Sequence, residues 1–247
     1  VIDGNTVENA GSAIYAVGID VLAGGGQDPD NNRIENNTVK NFTTVAPGAG
    51  TSVGIRVLSG QNNTVIGNTV SNTGNMQVGI DVRTTFAVPI HNNTITGMLK
   101  AGLALWGGTP PQPLTVQGNK LTDNATGIWM YAGAANITNC NVIKGGNTAL
   151  YVDPVANATR FVVNGNSISC CTLAKNDGIG KLDARGNYWE GCAGAPPQAG
   201  VNIFGDVDFS NALATDPCVP PSGLTKNYGP RAGWYMVSVP TTGDTAG

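Results

Sequence analysis

The sequence has little charge and no long apolar run, and both absences narrow its class. Only 12% of the 247 residues are charged, the net charge is -3, and Lys and Arg form no cluster. Proteins that bind nucleic acid by neutralising phosphates need such a cluster, so we expect no nucleic-acid partner. No apolar stretch approaches the roughly 20 residues that a membrane-spanning helix requires, so we expect no membrane span.

Residues that bind metals or transfer protons are also scarce. The sequence has one histidine, His91, and no Cys-x-x-Cys pair, so a zinc ribbon is not expected. Disulfides in an oxidising compartment are the better interpretation of the cysteines, with Cys192–Cys218 as the favoured pair and one thiol left over. The five cysteines are Cys140, Cys170, Cys171, Cys192 and Cys218.

Glycine, asparagine and threonine are abundant instead. The 35 glycines disfavour helices and favour strands that are joined by tight turns. The chain opens within a repeated phrase, "VIDGNTV", without a start Met or a signal peptide. We therefore expect it to be part of a longer polypeptide.

Two short phrases, an Asn phrase and then a Gly phrase, alternate along the chain about eight times. The Gly phrase has the form Gly-apolar-x-apolar and begins at Gly18, Gly54, Gly79, Gly102, Gly127 and Ala149, with a looser copy at Gly178. The Asn phrase has the form apolar-x-x-Asn-x-apolar, and Cys140 takes the place of its Asn in "ITNCNV". Its asparagines are Asn5, Asn37, Asn68, Asn93, Asn119, Asn166 and Asn187.

Each phrase is a short strand with period-2 alternation that cannot bury its apolar face alone. Stacking the copies about 4.8 Å apart buries a continuous column of Ile, Val and Leu. The repeat length varies, which propeller blades do not tolerate but the corners of a coil do. The sequence therefore predicts an all-β fold, a right-handed parallel β-helix (β-solenoid) of about eight coils with a C-terminal cap. The repeated Asn is expected at a left-handed bend, where its amides form a ladder along the column.

This alternation resembles the right-handed parallel β-helix repeat family with the pectin-lyase-like fold. The stretch "ARGNYWEGCAGAPPQAGVNIFGDVDFSNALATDP" is similar to the segment that closes the solenoid in that family. The resemblance implies a β-helix with its closing segment over residues 1–218. Residues 219–232 are then a linker. "GWYMVSVPTTGDTAG" resembles the first strand of a following β-module, which would start at residues 233–247 of a surface protein.

The family includes polysaccharide lyases, but the phrases of pectin-degrading hydrolases ("NTD", "DD", "GHG", "RIK") are absent. Alternation points His91 to solvent beside a corner. One catalytic alternative survives, a lyase of an acidic polysaccharide in which Asp20 and Asp81 hold Ca²⁺ and Arg56 or Arg83 acts as the base. The competing interpretation is a ladder of opposite charges at coil spacing.

Two further sites are suggested by residue type. Asp28 and Asp30 in "GGGQDPDNN" are hard oxygen ligands suited to Ca²⁺, or alternatively part of a solvated turn. An aromatic strip, formed by Trp106, Trp129, Tyr131 and Tyr151, would offer sugars a flat apolar platform. The alternative is that "GGTPPQPL" or a neighbouring molecule covers these rings.

These observations favour a non-catalytic module that is secreted or lies at the cell surface, as an adhesin, surface-layer, matrix or filament component. We expect a polysaccharide or cell-surface glycan as its partner, and self-association either end to end through the open ends of the coil or through neighbouring modules. We expect no cofactor, with Ca²⁺ as the alternative. Seven exposed Asn-x-Ser/Thr sequons are compatible with a glycoprotein. They are Asn36, Asn41, Asn62, Asn92, Asn124, Asn136 and Asn157.

Overall fold

The computed structural model describes residues 1–8, 11–12, 16–23, 28–44 and 52–219, with the backbone alone at 11–12 and 43–44. These residues wind into stacked coils whose strands form three long parallel sheets of nine, eight and eight strands. Successive coils add one strand to each sheet, which confirms the predicted all-β parallel solenoid. In the described part of the chain there is no α-helix, and none that could cross a membrane.

The first and second sheets lie on either side of the Asn corner. The first consists of Ile2–Asp3, Arg33–Glu35, Thr64–Ile66, Pro89–His91, Leu114–Gln117, Ala135–Thr138, Phe161–Val163, Leu182–Asp183 and Val207–Asp208. The second consists of Thr6–Glu8, Thr38–Lys40, Thr69–Ser71, Thr94–Thr96, Lys120–Thr122, Val142–Lys144, Ser167–Ser169 and Tyr188–Glu190.

The first six strands of the third sheet along the chain are the Gly phrases, and two strands without that phrase continue it. Its strands are Val17–Val21, Val53–Val57, Val78–Val82, Ala101–Leu105, Thr126–Met130, Thr148–Val152, Thr172–Asn176 and Ile203–Phe204. Gly11–Ser12 pairs with Thr43–Thr44 in a small separate sheet. Two single turns of 3-10 helix complete the described elements, at Ala158–Arg160 and Cys192–Gly194.

The core is a set of apolar columns inside the coils. In the first sheet Ile90 stands in register with Val65 on one side and Val116 on the other, and all three are fully buried. Neighbouring columns run through the middle of each strand of the other two sheets. Since every coil supplies one residue per column, the alternation of apolar and polar residues alone places the core.

The predicted asparagine ladder is present. Asn93 Nδ2 donates to Asn119 Oδ1 at 3.0 Å and to the Val65 carbonyl at 2.9 Å, and Asn68 Nδ2 donates to Asn93 Oδ1 at 3.0 Å. From Asn37 onward the members are almost completely buried. Each buried amide is satisfied by its neighbours, which is what makes a polar column tolerable inside a core.

Two details of the predicted ladder are wrong. The place assigned to Cys140 belongs to Asn141, which accepts from Asn119 at 2.9 Å and donates to Asn166 at 2.8 Å. The corner of this coil holds one extra residue, and Asn139 and Cys140 both have positive φ. In addition, the left-handed residue is the one before each ladder Asn. Glycine or asparagine fills it elsewhere, because both adopt positive φ at little cost.

Glycine is required in the third sheet by close packing. A Cβ at Gly127 would lie 2.4 Å from Cγ2 of Ile143 and 2.7 Å from the Ala149 carbonyl oxygen. The same crowding recurs at Gly54 and Gly79. Thr126 and Ile128 are in register with Ala101 and Leu103 of the preceding coil. The loose copy at Gly178 is wrong, since Thr172–Asn176 continues this sheet and sets Ala174 against Leu150.

The predicted Cys192–Cys218 pair is also wrong. Cys192 forms a disulfide with Cys171, which lies in the preceding coil beside the strand Ser167–Ser169. Cys218 lies elsewhere, at the end of a segment that folds back toward Asn141. The linker expected at 219–232, apart from Val219, and the β-module expected at 233–247 lie outside the described residues.

Candidate functional site

The outer face of the third sheet carries two parallel files of side chains. The first file consists of register partners in successive coils: Asp20, Arg56, Asp81, Ala104, Trp129, Tyr151 and Lys175. The second file lies two residues after the first along the chain. The backbone N–H of each member donates to a carbonyl oxygen of the preceding coil, and the members are Arg83, Trp106, Tyr131, Asp153 and Asp177. The files bring together the charged and the aromatic residues that the sequence singled out.

The charged end of the two files is an array of ion pairs. Arg56 binds both carboxylate oxygens of Asp20, with Nε donating to Oδ1 at 2.9 Å. Arg83 Nε and Nη2 lie 2.9 and 2.7 Å from Oδ2 of Asp81. All four residues of the lyase alternative are thus adjacent, and each is engaged in an ion pair. This arrangement favours the ladder of opposite charges over a metal-and-base cluster.

Asp81 is unusual within this array because its side chain is only 1% exposed. Its Oδ1 has no hydrogen-bond partner among the described residues. Burial raises the pKa of Asp81, and the nearby Arg83 opposes that shift. Burial likewise lowers the pKa of Arg56 and raises the pKa of Asp20. At Asp81 and Arg56 desolvation therefore outweighs the attraction of nearby opposite charges, and at Asp20 repulsion from Asp81 adds to the effect of burial.

The four aromatic residues form one cluster, but not a flat platform. Trp106 and Tyr131 stack with their ring centroids 3.5 Å apart. Trp129 meets both rings edge-on, at interplanar angles of 64° and 83°, and is only 9% exposed. Its indole Nε1 donates to Asp153 at 3.1 Å. The stacked pair and Tyr151 are half-buried, so their outer ring surfaces are the accessible part of the cluster.

A cation accompanies three of the rings. The Arg83 guanidinium lies 4.5 Å from the Trp106 ring centroid, and Lys100 Nζ lies 4.2 Å from that of Trp129. Lys175 Nζ lies 5.3 Å from the centroid of Tyr151. Such contacts hold the cations beside apolar surface. Arg83 joins the two halves of the site, since it binds Asp81 and covers Trp106.

Lys100 and Lys175 are site residues that the sequence analysis missed. Lys175 lies in "TLAKN", which lacks the Gly of the phrase, so only the spacing of about 24 residues from Tyr151 marks it. Lys100 precedes the strand Ala101–Leu105 and has no place in the repeated phrase. No local signal identifies it.

The Pro-rich segment at residues 107–114 is anchored at the next corner. Gly108 N donates to the Thr84 carbonyl at 2.9 Å, and Leu114 N donates to the Ala134 carbonyl at 2.9 Å. Pro110 and Pro111 are exposed. Among the described residues, the apolar cluster around the rings consists of strand residues and the aromatic side chains themselves, and the Pro-rich segment contributes no member to it.

The two residues of the calcium candidate, Asp30 and Asp28, have different surroundings. Asp30 accepts from Gln61 N at 2.7 Å and from Gln61 Nε2 at 3.2 Å, so its carboxylate fastens one coil to the next. Asp28 is exposed. Across the described ranges, no group of three or more His, Cys, Asp or Glu is arranged to hold a metal ion.

Two surface assignments are tested by burial. His91 is half-buried, its Nε2 lies 3.2 Å from Thr115 Oγ1, and burial lowers its pKa. Asn124 was expected to be exposed as a sequon, but it is 2% exposed. Its Oδ1 accepts from Met98 N at 3.0 Å and its Nδ2 donates to the Ile95 carbonyl, so it caps a coil from inside.

Comparison with known proteins gives one finding about the fold. A family model described as "Right handed beta helix region" matches residues 1–142, more than half of the chain. No curated protein and no solved structure matches the chain significantly. The family match agrees with the stacked parallel coils and supplies their handedness.

Proposed function

This chain belongs to the right-handed β-helix family, and on that scaffold we propose a non-catalytic extracellular or cell-surface module that binds carbohydrate. The observation that carries the proposal is the aromatic cluster on the outer face of the third sheet. Trp106, Tyr131 and Tyr151 present half-buried rings on three successive coils. Sugar rings pack their C–H faces on such side chains, and successive coils repeat an aromatic side chain along the sheet.

Polar groups beside the rings support the same proposal. Arg83, Lys175 and Asp153 lie next to Trp106, Tyr151 and Trp129 respectively. Carbohydrate sites combine apolar surface with a few fixed polar groups that bind hydroxyls. The proposed secreted location is supported by the Cys171–Cys192 disulfide, since disulfides persist in oxidising compartments.

Catalysis is not part of the proposal. A lyase with Arg56 as base needs a guanidinium that is available to the substrate and carboxylates that are available to Ca²⁺. Arg56 instead binds Asp20 with two of its nitrogens, and Asp81 is buried beneath Arg83. The structural role of an interlocking charge ladder accounts for these residues without a reaction.

Glycan-array binding of the purified chain tests the proposal, with the variants Tyr131→Ala and Tyr151→Ala. We expect the parent to bind at least one polysaccharide and each variant to bind it about tenfold more weakly, because stacking area is lost. Tyr188→Ala is the matched control, since Tyr188 is half-buried on the second sheet and should leave binding unchanged. A parent that binds no glycan, or a Tyr151→Ala variant that binds as the parent does, contradicts the proposal.

A further inference from the structure

The last described residues form a strap that runs back along the outside of the coils. In this C-terminal strap (residues 211–218), Leu213 N donates to the Asn187 carbonyl at 2.8 Å. Three residues later, Asp216 Oδ2 accepts from Ser167 Oγ at 2.7 Å, one coil further back. Cys218 then reaches the coil of Asn141, with its Sγ 4.0 Å from that carbonyl oxygen. The strap therefore crosses successive coils in the direction opposite to their stacking.

Cys140 meets the end of this strap. Cys140 occupies the corner that carries an extra residue, immediately before the buried ladder residue Asn141, and its backbone is left-handed (φ 60°). Its Sγ lies 3.0 Å from the Pro217 carbonyl oxygen. The contacts are reciprocal, because each sulfur touches the backbone of the residue next to the other cysteine.

We propose that Cys140 and Cys218 are the site of a second disulfide, which fastens the strap to the coil of Asn141. The site goes beyond glycan binding and does not depend on it. It also accounts for the number of cysteines, since Cys171 and Cys192 already form a pair. Cys170 is the thiol left over, because it is 5% exposed and its Sγ lies 3.4 Å from the Gly146 carbonyl oxygen.

The oxidant for this step is a low-molecular-weight disulfide such as oxidised glutathione. The Cys140 thiolate attacks one sulfur of the oxidant, forming a mixed disulfide and releasing one glutathione thiolate. Cys218 loses its proton and attacks the Cys140 sulfur of that mixed disulfide, releasing the second glutathione thiolate. Two protein thiols are oxidised and one glutathione disulfide is reduced, so atoms and electrons balance.

The order of attack follows from the surroundings of Cys218. Burial, together with the neighbouring Cys140 thiol, raises the pKa of Cys218 to about 12. Cys218 is therefore protonated near neutral pH and is a poor first nucleophile. Cys140 makes the first attack, and Cys218 acts as the resolving thiol.

Counting thiols in the full chain tests the assignment. The protein is equilibrated with oxidised glutathione, freed of it, unfolded in denaturant and alkylated with iodoacetamide, and the products are weighed and mapped by mass spectrometry. We expect one alkylated thiol, at Cys170, and a cross-linked peptide that joins Cys140 to Cys218. Cys140→Ser should leave two alkylatable thiols, at Cys170 and Cys218. Cys218→Ser should leave one, at Cys170, with glutathione retained on Cys140, and the control Cys170→Ser should leave none.

Other outcomes overturn the assignment. Three alkylated thiols in the parent would show that Cys140 and Cys218 stay reduced. Glutathione retained on Cys140 of the parent would show that Cys218 does not resolve the mixed disulfide. A cross-link from Cys170 to either residue would assign the second disulfide elsewhere. Both serine substitutions lie on partly exposed side chains outside the core, so the variants are expected to fold.

Discussion

At the scale of single residues, Asp81 carries the largest conflict between its chemistry and its surroundings. Its carboxylate lies on the outer face of a sheet and is nevertheless buried, with one oxygen lacking a partner among the described residues. Leaving such an oxygen unsatisfied costs about 1–3 kcal/mol. Arg83 lowers the pKa of Asp81, but burial raises it by more. The residue therefore limits stability when it is ionised.

Replacing Asp81 by Asn should change how stability depends on pH. A raised folded-state pKa means that the folded protein binds the proton more tightly, so this carboxyl weakens the fold as pH rises above 3.8 through its raised pKa. Asp81→Asn lacks that loss. We expect the free energy of unfolding of Asp81→Asn, relative to the parent, to increase from about pH 4 to about pH 7 in urea titrations.

Asp183→Asn is the matched control for this experiment. A hydrogen bond from Arg185 lowers the pKa of Asp183, so Asp183 stabilises the fold above 3.8 and loses that effect as the pH falls through its lowered pKa. The stability of Asp183→Asn relative to the parent should therefore stay nearly constant from about pH 4 to about pH 7, and should rise only as the pH falls below about 4. The account of Asp81 is wrong if Asp81→Asn loses stability, relative to the parent, as the pH rises.

At the scale of the element, the strands of the third sheet are shaped by their glycines. Ile128 and Met130 point into the core, while Trp129 points to the aromatic cluster. Gly127 lies against Ile143 and the Ala149 carbonyl, at distances that leave no room for a side chain. Gly127 thus allows the third sheet to approach the second sheet, and this approach sets the position of the aromatic cluster.

Gly127→Ala should therefore destabilise the protein by about 3 kcal/mol, because the added methyl group overpacks the core and displaces a backbone carbonyl. Urea unfolding monitored by Trp fluorescence measures the change. Thr126→Ala, on the same strand and half-exposed, should cost about 1 kcal/mol or less and serves as the control. Equal stabilities for the two variants would contradict a packing role for the glycine.

At the scale of the whole molecule, each coil contacts chiefly the coil before it and the coil after it. The pairings of the three sheets repeat this pattern from the first described coil to the cap. Stability in such a solenoid is close to a sum of coil and interface contributions. A coil in the middle is then dispensable, provided that its removal leaves the columns in register.

Deletion of residues 93–118 removes one coil of 26 residues and brings Asn68 under Asn119. We expect the shortened chain to fold with an unchanged β-type circular dichroism spectrum and a lower unfolding midpoint. Deletion of 93–119 is the control. It also removes the ladder residue and shifts the next strand by one position, which turns Leu121 away from the core. A shortened chain that fails to fold in both forms would contradict the nearest-neighbour description.

The sequence by itself determined the repeating features of this protein. Alternation fixes which residue of each strand faces inward, and the spacing of Asn68, Asn93 and Asn119 fixes how the coils stack. Both follow from local geometry that every coil repeats, so one sequence shows them many times over.

Only the tertiary structure decided what happens once. It assigned Asn141 rather than Cys140 to the ladder, paired Cys171 with Cys192, buried Asp81 and turned Trp129 edge-on to its neighbours. These features depend on extra residues at a corner and on side chains from several coils that compete for the same space. No repeated pattern records them, and the ladder and disulfide contacts join residues that lie more than 20 positions apart.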